Sequence, residues 1–138
     1  MLTLDQQRLI AGSFADIAEM AGPIAHLFYG RLFELAPGVR GLFKVSLEEQ
    51  SKKLLEMLAT IVNALDHPED LRPRLAELGR KHVTYGVKPE HYDFVRKALL
   101  WALAQALEGE FDPETKDAWD QLLRAVAAAM LDEQKTIV

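Results

Sequence analysis

The 138-residue chain predicts an all-helical fold, and three features carry that expectation. Runs of Val, Ile and Thr with period-two alternation are missing, as are Asn-Gly and Asp-Gly hairpin turns, while Ala, Leu, Glu and Lys dominate. Apolar residues recur at helical spacing, as in Leu54, Leu58, Ile61 and Leu65, or Trp119, Leu122, Val126 and Met130. Prolines and side chains able to cap a helix stand where helices would start.

Thr3 and Gln6 have the spacing of a capping box, which places a first helix over 4–20. Pro23 suits the first turn of a second over 23–36, because its missing N–H costs nothing there. The stretch 37–45 reads as a short turn or irregular helix. Ser46 and Glu49 repeat the capping-box spacing ahead of a third helix over 46–65. Pro68 opens a fourth over 68–85, which Pro73 is expected to break in two by removing a ladder bond. Gly86 ends it in the left-handed conformation, and Val87-Lys88-Pro89 restarts the chain in a new direction. A fifth helix over 89–108 begins at Pro89, and Asp112 before Pro113 caps a sixth over 113–135. Amphipathic helices must pack on one another. With no internal repeat of solenoid length, the choice lies between a bundle and an array of crossing helices.

Length and composition bound the function. A chain of this size fits one compact domain over 1–138. Sixteen Lys plus Arg against 21 Asp plus Glu give a net charge of −5 without a basic stripe, which argues against nucleic acid as a partner. Asp5 and Arg8 interrupt the first apolar stretch, so no signal peptide is expected, and no stretch is apolar enough to span a membrane. A cytoplasmic protein is the expectation. The chain has no cysteine, which excludes disulfides, thiol nucleophiles and cysteine-ligated metals and leaves His, Asp and Glu as strong ligands.

The four histidines are then the residues to weigh. His67, in the turn Asp66-His67-Pro68, reads as a solvated surface residue. His26 shares a helix face with Tyr29 and Phe33 and reads as a partly buried histidine packed on aromatics. His91 falls in the first turn after Pro89, where a neutral imidazole suits a capping role. His82 projects from an apolar stripe with Leu75 and Leu78, in the last turn of a helix beside a corner. A buried imidazole needs a partner, and a backbone carbonyl is the commonest one. An all-protein metal cage is not expected, because there is no H-E-x-x-H, no paired Glu-x-x-His and no second histidine three or four residues beyond His82. One histidine suffices, however, when a porphyrin supplies four equatorial nitrogens, which makes haem a hypothesis.

The segment Phe28-Tyr29-Gly30-Arg31-Leu32-Phe33, followed by Pro37, Val39-Arg40 and Leu42-Phe43, resembles motifs of the globins. So do Gln50, standing 32 residues before His82, and the run Tyr85-Gly86-Val87 with His91-Tyr92. The order and spacing are similar to those of the bacterial single-domain haemoglobins and the haem domains of flavohaemoglobins, over nearly the whole chain. The resemblance implies a globin fold, three helices crossing three around a pocket for haem b (iron protoporphyrin IX). It implies His82 as proximal iron ligand, Phe43 as the aromatic wedged on the porphyrin, and Tyr29 with Gln50 as the polar distal pair. It places Leu54 on the distal side as an apolar neighbour of bound gas, and Tyr92 beside His82. Lys53, with Arg80, Lys81 and Lys88, has the charge to meet a propionate, although a solvated helix face explains these residues equally well. The flavohaemoglobin pattern also carries a glutamate that pushes electron density to the proximal imidazole, giving peroxidase-like character. That position falls on Gln134 here, with Glu133 one residue earlier, and Leu123 stands where a second tyrosine is expected.

Three functions follow as expectations. The first is reversible oxygen binding for storage or delivery. The second is nitric-oxide dioxygenase activity, which needs an electron donor; flavohaemoglobins carry a reductase on the same chain, and this sequence stops at Val138, so an external reductase is expected. The third is gas sensing through a partner, as a monomer or homodimer. A haem-free helical bundle, with His82 merely in the core, is the structural reading.

Overall fold

The computed structural model describes residues 2–43, 46–84 and 86–137, with side chains throughout except at 21, 84 and 132–137. Thr3 caps α1 (Leu4–Ile17) as expected: its hydroxyl accepts from the Gln6 N–H at 3.1 Å, while the Gln6 side chain accepts from the Thr3 N–H at 2.9 Å. A short 3-10 turn, Ala18–Met20, leads into α2 (Ala21–Leu35), which begins slightly before Pro23. The irregular stretch is a 3-10 helix, Pro37–Leu42. Ser46 then accepts from Glu49 N–H at 3.2 Å to start α3 (Leu47–Asn63). α4 (Pro68–Thr84), α5 (Pro89–Leu107) and α6 (Pro113–Ile137) follow, the last capped by the Asp112 carboxylate on the Thr115 N–H at 2.8 Å.

Pro73 does not break α4, contrary to the expectation from sequence. It sits on the exposed face, as does Glu69, whose carbonyl loses its partner to the proline ring and is left within reach of water. Leu71 and Leu75, on the opposite face, are buried on either side of Pro73 and hold both halves of the helix to one core.

The helices cross rather than run side by side: α1, α3 and α4 lie across α2, α5 and α6. α5 is the central element, and its stretch from Ala98 to Leu103 is apolar all round, with Ala98, Leu99, Leu100, Ala102 and Leu103 all buried. Ile24, Phe28 and Leu32 form the buried stripe of α2 that meets it. Trp119 of α6 is fully buried, and its indole N–H donates to the Ser13 hydroxyl of α1 at 2.8 Å. Among the described residues, no helix is long and apolar enough to cross a membrane.

Two contacts fix where α4 and α5 lie on α6. Gly79 presses its backbone on Met130, where a Cβ would come 2.5 Å from the Met130 carbonyl oxygen. The neighbour is backbone and cannot swing aside. Gly79→Ala is therefore expected to lower stability by about 1–3 kcal/mol from overpacking, against about 0.5–1 kcal/mol gained in helix propensity. An unchanged or raised thermal midpoint would contradict the contact.

The second contact is an ion-pair network. Arg96 of α5 donates to Asp120 of α6 at 2.6 Å and to Asp93 at 2.5 Å, and Arg124 donates to Asp120 at 2.8 Å. Partial desolvation pushes the Asp120 carboxyl up, but the bonds from Arg124 and Arg96 outweigh it and hold the group below its ordinary 3.8. A depressed carboxylate stabilises the fold above that value and loses its contribution as pH falls through the folded pKa. Asp120→Asn should thus cost about 1–2 kcal/mol at neutral pH. Urea midpoints of variant and native chains should converge below pH 3.8, and a gap that widens in acid would contradict this.

Candidate functional site

The end of α4 is built to hold His82. Gly86 takes φ +87°, the left-handed conformation expected of it, and two bonds close the helix behind it: Gly86 N–H to the Val83 carbonyl and Val87 N–H to the His82 carbonyl, both at 3.0 Å. The same corner touches the 3-10 helix, since a Cβ on Gly86 would lie 3.6 Å from the Leu42 side chain. Thus the corner beside His82 packs near the side chain of Leu42, the residue preceding Phe43.

The His82 side chain is partly buried, and its Nδ1 lies 2.8 Å from the Leu78 carbonyl oxygen. A carbonyl can only accept, so Nδ1 carries the proton and Nε2 carries a lone pair in the neutral ring. Burial lowers the pKa of His82, outweighing the opposite pull of the Leu78 bond, so the ring stays neutral under physiological conditions. The backbone-carbonyl partner foreseen for an ordinary core histidine is present. It also leaves the far nitrogen in the state a metal ligand requires. Tyr92 of α5 is the aromatic neighbour, with ring centroids 6.2 Å apart.

Aromatic rings gather at α2 and the following corner. Tyr29 is 4% exposed, its ring 5.5 Å from Phe43 in an edge-on contact and 6.1 Å from Phe33. Phe33 in turn stands 5.7 Å from Phe43 and carries the Arg40 guanidinium 5.2 Å from its centroid. Among the described residues, the Tyr29 hydroxyl has no hydrogen-bond partner; burial raises its pKa, so it remains a protonated donor. Gln50 and Leu54 follow on α3, one turn apart and both partly buried, with Leu54 packed against the core.

α3 and α4 are joined only by residues 64–67, yet they make no extensive contact with each other: α4 lies on α6, and α3 on α1 and α2. Helices connected so briefly ordinarily pair. Here they diverge, with Gln50 and Leu54 on one helix and His82 on the other.

A family model described as Globin matches residues 26–130. The chain belongs to the globin family. This globin is 30% identical to an uncharacterized globin-like protein of Aquifex aeolicus, over 99% of this chain and 97% of that one. It is equally identical to flavohemoprotein B of Dictyostelium discoideum over 99% of its own length but 33% of the other's, so it spans about a third of that relative. A bacterial globin from Campylobacter jejuni has the same fold, with TM-score 0.84 at 26% identity and 98% of each chain covered. Membership implies haem binding. The residues present fit that group: a neutral imidazole with its Nδ1 already engaged, aromatic rings, and a phenol on a buried ring that lacks a partner among the described residues.

Some expectations need correcting or lie out of reach. His26 is exposed rather than packed among aromatics, because the space on that side of α2 is not filled by α3. His67 is solvated, and His91 accepts from the Lys88 N–H at 3.0 Å, both as expected. Lys53 is exposed, and Leu123 is partly buried on the core. Tyr85 and the side chains of Glu133 and Gln134 lie outside the described residues. Phe33, which touches both Tyr29 and Phe43, was not singled out for the site; its spacing of four from Tyr29 on one helix face was the available signal.

Proposed function

We propose that residues 1–138 act as one haem b domain that binds oxygen reversibly, with His82 as the proximal ligand and Tyr29 and Gln50 as distal donors. Haem b, when bound, supplies an iron with an axial position open to a diatomic gas. The absence of cysteine supports a haem held without thioether links. The observation that carries the reading is the Tyr29 hydroxyl, a protonated donor on a ring only 4% exposed that no described protein group satisfies. A phenol in that state can donate to a ligand that accepts from it. In a low-dielectric pocket, a phenol and an amide stabilise a ligand that gathers negative charge. Phe43 and Leu54 give the pocket apolar walls, Tyr92 supports the imidazole, and Lys53 is the candidate partner for a propionate.

Nitric-oxide dioxygenase activity is the second reading, favoured by the similarity to proteins named flavohemoprotein. It uses the same donors and adds only a source of electrons to return ferric iron to ferrous. Nitrate formation from nitric oxide, with an added flavin reductase and NADH, separates the two. A carrier is expected to yield about one nitrate per haem, and sustained turnover would replace the carrier reading with the enzyme.

A further inference from the structure

The corner that carries Phe43 is the 3-10 helix Pro37–Leu42, and little of it is packed. Pro37, Gly38, Arg40 and Gly41 are all exposed, and a Cβ built on either glycine meets nothing within 4 Å. Side chains on its other positions tie it down: Val39 is buried in the core, and Leu42 lies near the Gly86 corner. Arg40 adds a third tie, reaching back to α2, where its guanidinium carbon stands 5.2 Å from the centre of the Phe33 ring. In a chain of net charge −5, this guanidinium meets a ring and, among the described residues, no carboxylate. The Arg40 main chain is tied to the site as well, because its carbonyl accepts from the Phe43 N–H at 3.4 Å.

Phe33 is also the ring that joins the two sides of the site. It stacks on Tyr29 with 27° between the planes and meets Phe43 edge-on at 75°, while Tyr29 and Phe43 meet at 84°. Each ring touches the other two, so none turns alone. Tyr29 is locked by burial, whereas Phe33 and Phe43 are only partly buried and need another constraint. A cation supplies one, since its attraction is to the negative face of a ring and is forfeited when the ring tilts edge-on.

From this geometry we propose that Arg40 is a positioning residue: held over Phe33, it fixes the three rings and through them the direction of the Tyr29 hydroxyl and the seat of Phe43. The proposal rests on the reading of Tyr29 as donor to bound oxygen, and its test separates the two. A contact can transmit no more than its own free energy, which for an exposed cation on a ring corresponds to about two- to fivefold in an equilibrium.

In the haem-loaded protein, Arg40→Ala should therefore quicken oxygen release by about two- to fivefold, and Arg40→Met, which keeps an aliphatic stem without charge, should do the same. On a Tyr29→Phe background, Arg40→Ala should add nothing. A merely structural arginine would lower the thermal midpoint without that dependence on Tyr29. If Tyr29→Phe quickens release but Arg40→Ala does not, or Arg40→Ala acts equally with and without the phenol, the proposal is overturned. A native rate in Arg40→Met overturns it too. NMR gives a readout apart from gas binding: the δ-methylene protons of Arg40 should show nuclear Overhauser contacts to the Phe33 ring, and Arg40→Ala should move the Phe33, Tyr29 and Phe43 ring resonances together. Should Tyr29→Phe itself leave release unchanged, the oxygen reading fails, and the NMR contact decides whether Arg40 holds the rings; its absence overturns that hold.

Discussion

His82→Ala is expected to abolish tight haem binding. The substitution removes the only histidine that a helix end holds with its Nδ1 engaged and its Nε2 in ligand form. Loss of a partner beyond the ligand costs roughly 10- to 100-fold in metal affinity, so loss of the ligand itself should exceed that. Folding should suffer less, because His82 is only partly buried and the Gly86 corner closes through backbone bonds that alanine preserves. The measurement is haem transfer to an excess of apomyoglobin, compared with the native protein. His82→Gly with added imidazole provides the control, since a free ring in the vacated space should restore the five-coordinate ferrous spectrum. Native-like haem retention by His82→Ala would remove His82 from the site.

Tyr29→Phe is expected to quicken oxygen release by roughly ten- to a hundredfold, the consequence of losing a charge-assisted hydrogen bond of about 1.5–3 kcal/mol. The substitution deletes one oxygen atom from a ring held by Phe28, Phe33 and Phe43, and no protein partner of that hydroxyl is left stranded. Stability should therefore change little or improve, a combination that distinguishes a ligand-directed hydroxyl from a structural one. Stopped-flow displacement of oxygen by carbon monoxide gives the rate. An unchanged rate accompanied by a large loss of stability would mean that the hydroxyl serves the fold.

Most of the fold was legible because its helix boundaries are set locally. Thr3, Ser46, Asp112 and Gly86 act through bonds to backbone groups within five residues, and such bonds follow from spacing alone. Pro73 shows where local reasoning stops, because its effect was decided by Leu71 and Leu75 anchoring both sides of the helix to a distant surface. His26 shows the same limit: its neighbours along α2 are aromatic, but its exposure depends on how α3 crosses.

The site was legible in a different way. His82 stood out by its apolar stripe and corner, and its bond to Leu78 is one that sequence spacing allows. Tyr29, Gln50 and Phe43 carry no signal of their own beyond helix faces, and only the ordered resemblance to a family picked them out. Gly79 gave no warning, since whether a glycine is pressed on backbone or faces open space is a property of packing between elements distant in sequence.

The most direct test of the central claim is titration of the purified chain with haemin, followed by reduction under nitrogen and resonance Raman spectroscopy. One haem per chain, a Soret band, and an iron–histidine stretch that disappears in His82→Gly are the predicted results. A chain that stays colourless, or a stretch that survives loss of His82, would contradict the account.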